Sequence, residues 1–318
     1  MWQDFIASFY FAVGITVPNI LLLVFGLFLF RTGQIDGHFC HQAAQLMFRW
    51  ALPALLFFSI VESQLNFLDQ IPMLLAGTIA ALILFILAEI AAYFFVNKPD
   101  RGIFVQGIYR GNTAIVGVAF CTNAYGAEGL STGAIFTGTL TLLYNILAVI
   151  TLSRSLNQGK KTAFFPVLMN IIKNPLIIAI VLAFTVRFLS FRLPESIAQG
   201  CHSVASLALP LALLCIGATF DVKSLLHKSD LALITSLLRV VISPAVAIAV
   251  GYLMGLDGVP FGVLILMHLT PVAAAAYVMV KAMGGNDVII ANIVGITTVV
   301  SMITASLWIT LLHWYGLM

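Results

Sequence analysis

The stretch RGNTAIVGVAF, residues 110–120, places an arginine, an asparagine, a threonine and two glycines in the middle of a long apolar segment. A membrane helix that faces lipid normally carries leucine, isoleucine, valine and phenylalanine at such positions. Gly111 and Gly117 loosen the backbone, while the side chains of Asn112 and Thr113 can bond to backbone groups that a break would free. The stretch therefore predicts a membrane helix that is interrupted at mid-depth.

The composition around this stretch is that of a membrane protein. Of the 318 residues, 61% are hydrophobic and 8% are charged, whereas an ordinary soluble domain has about 25% charged residues. Because a helix needs about 20 apolar residues to cross a bilayer, the sequence predicts an all-α polytopic membrane protein with ten spans and no sizeable soluble domain. We place the spans near residues 6–30, 42–62, 70–96, 102–125, 130–153, 164–187, 195–220, 230–254, 260–282 and 288–312.

The two halves of the chain resemble each other. Pro18 of VPNILL and Pro175 of NPLIIA are separated by 157 residues, and so are Pro53 of ALPALLFFSI and Pro210 of ALPLALLCIG. The segments NAYGAEG and KAMGGND align at an offset of 158. Such ordered matches indicate a duplication, and since each copy has five spans, the second is expected to be inverted in the membrane. We expect a first repeat over 1–153, a cytoplasmic linker over 154–163 and a second repeat over 164–318.

The basic residues predict the orientation of these repeats. Nine lysines and arginines fall in loops on one side of the membrane and two on the other. Because positively charged loops stay in the cytoplasm, we expect a multi-pass protein of the cell membrane with both termini outside the cytoplasm. The nine are Arg31, Lys98, Arg101, Arg154, Lys160, Lys161, Lys223, Lys228 and Lys281, and the two are Arg187 and Arg192.

A second break is predicted in span nine, in the stretch MHLTPVAAAA. Pro271 has no N–H and clashes with the preceding turn, and at an offset of 158 Thr270 and Pro271 align with Asn112 and Thr113. Unpaired backbone at mid-membrane is tolerated only inside protein or beside a water-filled cavity. Two matched breaks predict a site between them, where new helix N-termini suit a carboxylate; the alternative is a pair of kinked helices packed on small residues.

Four ionisable residues inside the spans require an explanation, because each is costly to bury in a bilayer. Glu89 and Arg110 lie at similar depths, and they form either a structural ion pair or a functional pair in which Glu89 takes up a proton or Arg110 meets an anion. Arg239 either attracts an anion or extends towards the cytoplasmic interface. His268 either titrates beside the cavity or is a hydrogen-bonded packing residue.

Several function classes lack the residues they require. His38, Cys40 and His41 resemble metal ligands only superficially, so no metal is expected. The four cysteines are scattered and indicate no disulfide framework. Phosphate-binding loops and nucleophile motifs are missing from the sequence, and its basic residues lie singly, so we expect no cofactor, no enzymatic activity and no nucleic-acid partner.

Four motifs in order, RGNTAIVGVAF, ALPALLF, LPLALLCIGATF and LTPVAAAAYVMVKAMGG, resemble the auxin efflux carrier family and its bacterial relatives over essentially the whole chain. The resemblance implies a ten-helix inverted-repeat fold similar to bile-acid symporters and sodium/proton antiporters. It implies that spans four and nine cross in a mobile transport domain of spans three to five and eight to ten, and that spans one, two, six and seven form a dimerising scaffold. The sequence departs from the family pattern at two places. It has Gly117-Val118-Ala119 where many relatives have proline, and its central loop is short, as in the bacterial branch, where plant members have a long one.

The resemblance also implies transport of organic anions such as auxin, malate or malonate. We therefore expect a secondary or facilitative carboxylate transporter that works by elevator-type alternating access, with H⁺ or Na⁺ as possible coupling ion and Glu89 as the coupling residue. One alternative is a sodium-coupled symporter or cation/proton antiporter of the same fold, and a second is a membrane sensor or enzyme that does not transport. The expected substrate-binding residues are Arg110, Gly111, Asn112, Thr113, Arg239, His268, Thr270 and Pro271.

Overall fold

The structure, a computed structural model, describes residues 2–62, 67–156, 173, 175–189, 194–218 and 230–318. Most of the predicted linker, the beginning of predicted span six and the last residues of predicted span seven lie outside these ranges. So do Lys160, Lys161, Arg192, Lys223 and Lys228.

The described residues form α-helices joined by short turns. One π-helical turn spans Met47–Ala51 and a second spans Thr113–Gly117. The helices are α1 (Trp2–Arg31), α2 (Gly37–Leu46), α3 (Leu52–Val61), α4 (Ile71–Phe95), α5 (Arg101–Tyr109), α6 (Val118–Leu156), α7 (Pro175–Phe188), α8 (Glu195–Ser206), α9 (Ala208–Ala218), α10 (Asp230–Leu253), α11 (Gly258–His268), α12 (Ala274–Ala282) and α13 (Asp287–Trp314).

Seven helical stretches in the described part of the chain are long and apolar enough to cross a membrane, and the chain is a multi-pass membrane protein. Two further apolar helices, α7 and α11, are shorter. The seven are Asp4–Arg31, Gly37–Val61, Leu68–Phe95, Thr113–Leu156, Glu195–Ala218, Asp230–Leu253 and Asp287–Trp314.

The difference between seven stretches and ten predicted spans has local causes. The stretch Thr113–Leu156 covers 44 residues, and Gly126 interrupts it with φ 58° and ψ −136°. That left-handed φ is accessible to glycine at little cost, and it falls where the sequence separates span four from span five. The three predicted spans without a long stretch of their own in the described chain are four, six and nine. Predicted span four is divided between α5 and the beginning of the stretch Thr113–Leu156, and predicted span nine is divided between α11 and α12. In predicted span six the described helix is α7, which has 14 residues.

The broken helices occupy the centre of the bundle. α5 packs against α4, α6 and α10, and α11 packs against α6 and α10. Both are buried on every side over most of their length, whereas α1, α4 and α13 present large apolar side chains outward. An outward apolar surface is what lipid contact requires, and the enclosed helices are free to carry polar groups.

Two glycines lie at the contact between α1 and α9. Gly26 of α1 lies against the carbonyl of Leu214, and Gly217 of α9 lies against the carbonyl of Leu23. A Cβ at either glycine would overlap backbone atoms. Small residues thus allow these two helices to touch closely, as is common between membrane helices.

Replacing Gly26 by alanine is expected to destabilise the protein. The added methyl group meets backbone that cannot move aside, and overpacking of this kind costs about 1–3 kcal/mol. Gly14→Ala on the same helix is the matched control, because no atom lies within 4 Å of a Cβ placed there. Thermal unfolding of both variants in detergent measures the difference, and equal melting temperatures would contradict the described contact.

Candidate functional site

The two interrupted segments cross at the centre of the molecule. α5 ends at Tyr109, and the chain runs through residues 110–112 before the turn Thr113–Gly117; α11 ends at His268, and α12 begins at Ala274. Both breaks lie where the sequence predicts them.

The non-helical residues of the two segments pair with each other at the crossing. A single antiparallel bridge joins Gly111 to Val272. The N–H of Asn112 donates to the carbonyl of Pro271 at 2.8 Å, and the N–H of Ala273 donates to the carbonyl of Arg110 at 3.1 Å. The pairing satisfies backbone groups that two broken helices would otherwise leave unbonded in the membrane interior.

Local sequence explains why both chains leave the helix here. Pro271 offers no N–H, and the neighbouring Val272 N–H donates instead to the hydroxyl of Thr297 at 3.1 Å. Gly111 is required by the close approach, because a Cβ there would overlap Arg239 and the Thr270 hydroxyl. Proline in one chain and glycine in the other therefore permit the bridge.

Arg239 of α10 binds the C-terminal end of both broken helices. Its Nη1 donates to the carbonyls of Ile108 and Tyr109 at 3.0 and 3.3 Å, and its Nε donates to the carbonyl of Thr270 at 3.0 Å. Helix C-termini carry partial negative charge and unpaired carbonyls. The guanidinium therefore stabilises two helix ends at once.

The remaining contacts of Arg239 complete this arrangement. Nη1 also donates to the Ser243 hydroxyl at 3.0 Å, and Nη2 donates to the Thr270 hydroxyl at 3.1 Å. Only 1% of Arg239 is exposed, so the alternative in which its side chain extends towards the interface is wrong. Its donors face protein oxygens, and it does not line the cavity described below.

Arg110 lies on the opposite side of the crossing and binds amide side chains. Its Nη1 donates to Gln106 Oε1 at 2.9 Å, and its Nη2 donates to Asn145 Oδ1 at 2.6 Å. The predicted Glu89–Arg110 ion pair is wrong: Glu89 Oε2 lies 3.7 Å from Arg154 Nη1 instead. Two side chains at a similar depth in the membrane can point in different directions. The backbone of Arg110 is extended, and its side chain points towards Asn145 of α6.

A cavity of about 110 Å³ lies at the crossing, beside the Arg110 guanidinium. Arg110, Asn112 and Thr113 are 5%, 8% and 3% exposed, whereas Phe48, Ala274 and Ala275 of the same lining are exposed, so the cavity is buried on one side and partly open on the other. The lining residues that the structure describes include no carboxylate. They are Phe48, Arg110, Gly111, Asn112, Thr113, Ala114, Ile115, Thr141, Tyr144, Asn145, Leu176, Ala273, Ala274 and Ala275.

Two helix N-termini open onto this cavity. One is the π-helical turn that begins at Thr113, and the other is α12, which begins at Ala274; no side chain caps either of them. Unbonded N–H groups and the partial positive charge of a helix N-terminus favour an anion. With Arg110, the described lining is electropositive and has the size for a small anion.

The structure brings together only part of the predicted substrate-binding set. Arg110, Gly111, Asn112 and Thr113 line the cavity, whereas Thr270, Pro271, Arg239 and His268 do not. Thr270 and Pro271 serve the crossing itself through their hydrogen bonds to Arg239 and Asn112.

His268 and Glu89 lie apart from the cavity. Nδ1 of His268 is 2.9 Å from the carbonyl of Leu264, its ring packs edge-on to Phe136, and its Nε2 has no partner among the described residues. Glu89 lines a different pocket, together with Arg154.

Sequence reasoning missed the residues that α6 contributes to the cavity. Thr141, Tyr144 and Asn145 lie at positions i, i+3 and i+4 and therefore share one face of that helix. Three polar side chains on one face of an apolar span were the available signal. Phe48 and Leu176, also in the lining, carried no such signal, because they are ordinary apolar residues in apolar segments.

Comparison with known proteins identifies the family of the chain. A family model described as "Membrane transport protein" matches residues 11–309. An "Uncharacterized transporter" of Methanothermobacter thermautotrophicus is 24% identical over 304 residues, which cover 92% of this chain and 96% of the relative. The "Uncharacterized transporter MJ1031" of Methanocaldococcus jannaschii is 25% identical over 201 residues, 62% of this chain and 64% of the relative. The chain therefore belongs to the membrane transport protein family, that of the auxin efflux carriers, and is a transporter and not an enzyme.

Proposed function

We propose that the protein carries small organic anions, namely mono- or dicarboxylates, across the cell membrane, and that the cavity at the crossing holds the carboxylate. The observation that carries the proposal is the buried Arg110 guanidinium, which lines a cavity next to two uncapped helix N-termini. None of the ion pairs found among the described residues includes Arg110. A buried cation without a carboxylate partner is costly, and a bound anion supplies the missing charge.

The groups around the cavity suit a carboxylate in particular. Arg110 presents a planar fork of donors that matches two carboxylate oxygens. Asn145 accepts from Arg110 through Oδ1, which leaves its amide N–H groups as donors, and Asn112 and Thr113 add further polar groups. Phe48, Ile115 and Leu176 contribute the apolar side of the lining. The combination fits a small anion with a short carbon skeleton.

We further propose ten spans in two inverted repeats, 1–153 and 164–318, joined by the linker 154–163. Helix packing supports this: α1 lies along α9, and α3 lies along α7. In the proposed repeat these pairs are span one with span seven and span two with span six. When the two halves are exchanged, span six takes the place of span one and span two takes the place of span seven. The first pair then becomes the second, as a two-fold relation requires.

The proposed transport step is an elevator motion of spans three to five and eight to ten past a scaffold of spans one, two, six and seven. The cavity supports this division because Phe48 and Leu176 come from the proposed scaffold, whereas Arg110 and Asn112 come from the proposed moving part. A ligand at such a boundary becomes accessible from alternate sides when one part slides. Dimerisation through the scaffold and outside location of both termini remain proposals from the family resemblance and the loop charges.

Coupling to H⁺ or Na⁺ also remains a proposal. A sodium site at the crossing is disfavoured because the described part of the cavity lining has no carboxylate, and Na⁺ prefers oxygen ligands of high charge, as other hard cations do. Glu89 is the better candidate for proton uptake, since its Oε1 finds no hydrogen-bond partner among the described residues.

Uptake of radiolabelled mono- and dicarboxylates into proteoliposomes tests the transport proposal, with proton and sodium gradients imposed separately. Arg110→Gln and Asn112→Ala are each expected to reduce uptake by about tenfold or more, because a hydrogen bond to a charged group contributes about 1.5–3 kcal/mol. Arg31→Gln, at the exposed end of α1 and away from the cavity, is the control and is expected to keep full uptake. If folded protein moves no carboxylate, or if all three variants behave alike, the assignment fails.

Arg239 and Arg110 are expected to differ in what their loss affects. Arg239→Gln removes hydrogen bonds to both broken helices and is expected to lower stability by about 3 kcal/mol even without substrate, because each hydrogen bond to a charged group contributes about 1.5–3 kcal/mol and the freed carbonyls stay buried. Arg110→Gln is expected to change the melting temperature less but to abolish its rise when a transported carboxylate is added. Thermal unfolding in detergent with and without the carboxylate distinguishes the two roles, and a substrate-dependent rise that survives in Arg110→Gln would remove Arg110 from the site.

A further inference from the structure

A second pocket, of about 440 Å³, lies between the C-terminal ends of α4 and α6, and we call it the basic pocket. Its lining includes three cations, Lys98, Arg101 and Arg154, and one carboxylate, that of Glu89. The described lining of this pocket and that of the crossing cavity share no residue. The pocket therefore has an excess of positive charge that the proposed transport site does not use.

The cations of the basic pocket differ in how they are held. Arg101 is fixed at the end of α4: its Nε donates to the carbonyl of Val96 at 3.0 Å, its Nη2 donates to that of Tyr93 at 2.9 Å, and its guanidinium lies 5.0 Å from the centre of the Tyr93 ring. The Arg154 side chain is 69% exposed and lies 3.7 Å from Glu89. Arg101 is preorganised, and Arg154 retains donors for a ligand.

An apolar stripe leads from this pocket along α4. Ile86, Ile90, Tyr93 and Phe94 are 54%, 53%, 66% and 71% exposed, and their spacing places them on one side of the helix. The last three also line the basic pocket. Aromatic residues beside basic ones at the end of a membrane helix are typical of the bilayer interface, so the stripe runs from the level of the lipid headgroups towards the acyl chains.

We propose that the basic pocket binds the phosphate group of an anionic phospholipid, with the acyl chains along the α4 stripe. Charge complementarity supports an anion, because three cations face one carboxylate. The continuous apolar surface supports a lipid over free phosphate, because only a lipid covers both parts. Basic pockets between membrane helices on the cytoplasmic side bind acidic headgroups in this way. The proposal does not depend on the identity of the transported substrate.

Native mass spectrometry of the full chain in detergent tests this site with two lipids of identical acyl chains, phosphatidylglycerol and phosphatidylcholine. The wild-type protein is expected to retain phosphatidylglycerol preferentially. Lys98→Gln/Arg154→Gln is expected to weaken phosphatidylglycerol binding at least tenfold. The control is Arg31→Gln/Lys281→Gln, which removes two charges from the same predicted side of the membrane and is expected to bind as the wild type does.

Other outcomes overturn the proposal. Equal retention of the two lipids by the wild type would show that the pocket does not select an anionic headgroup. Equal loss of phosphatidylglycerol in both double variants would show that the overall charge of that membrane side, and not the basic pocket, attracts the lipid. Displacement of the lipid by inorganic phosphate at equal concentration would assign the pocket to a free anion. If the double variant does not fold, Lys98→Gln alone replaces it, because that side chain is exposed and its loss disturbs no described hydrogen bond.

Discussion

The crossing of the two broken helices depends on Arg239. Breaking a helix inside a membrane leaves carbonyl groups that water cannot reach, and each costs several kcal/mol if unbonded. A single guanidinium donates to carbonyls at the ends of both broken segments, those of Ile108, Tyr109 and Thr270. The helix ends in turn stabilise a cation that has no carboxylate partner among the described residues, because their dipoles point negative ends at it. The charge of Arg239 and the unpaired carbonyl groups of the broken helices therefore stabilise each other.

This arrangement determines what the other ends of the helices can do. With the C-terminal ends bonded to Arg239 and the extended residues bonded to each other through the Gly111–Val272 bridge, the N-terminal ends at Thr113 and Ala274 are left to face the cavity. They are electropositive, and Arg110 adds a full charge beside them. At each break, the C-terminal helix end is electronegative and its carbonyl groups are bonded within the protein. The N-terminal helix end is electropositive and faces the cavity, where it is open to a ligand. The separation of the two ends is what suits the crossing to the proposed anion.

The sequence predicted both breaks, because proline and glycine act on the backbone where they stand. It did not predict the role of Arg239, since the oxygens that the guanidinium binds lie about 30 and 130 residues away in the chain and carry no side-chain signal. The same limit explains Arg110: depth suggested Glu89 as its partner, but the direction of each side chain depends on local backbone and helix rotation. Asn145 shares a polar face of its span with Thr141 and Tyr144, but that pattern does not identify Arg110 as its partner. Residues that act through their own backbone were predictable, and those that act through distant contacts were not.

The charges at the crossing also bear on the proposed elevator motion. Arg110 and Arg239 belong to the part that would move, and the ion pairs found in the described chain involve neither of them. Helix dipoles stabilise a cation but do not cancel its net charge, so the two arginines alone give the empty crossing two positive charges. A monocarboxylate would leave one of these, and a dicarboxylate would leave none. Because moving one elementary charge across 100 mV involves about 2.3 kcal/mol, the membrane potential would act strongly on the empty carrier and least on one loaded with a dianion. In the proposed elevator, the two buried arginines would therefore make a dianion the substrate whose movement the membrane potential affects least, provided that the other charges of the moving part, such as Glu89, stay the same in both states.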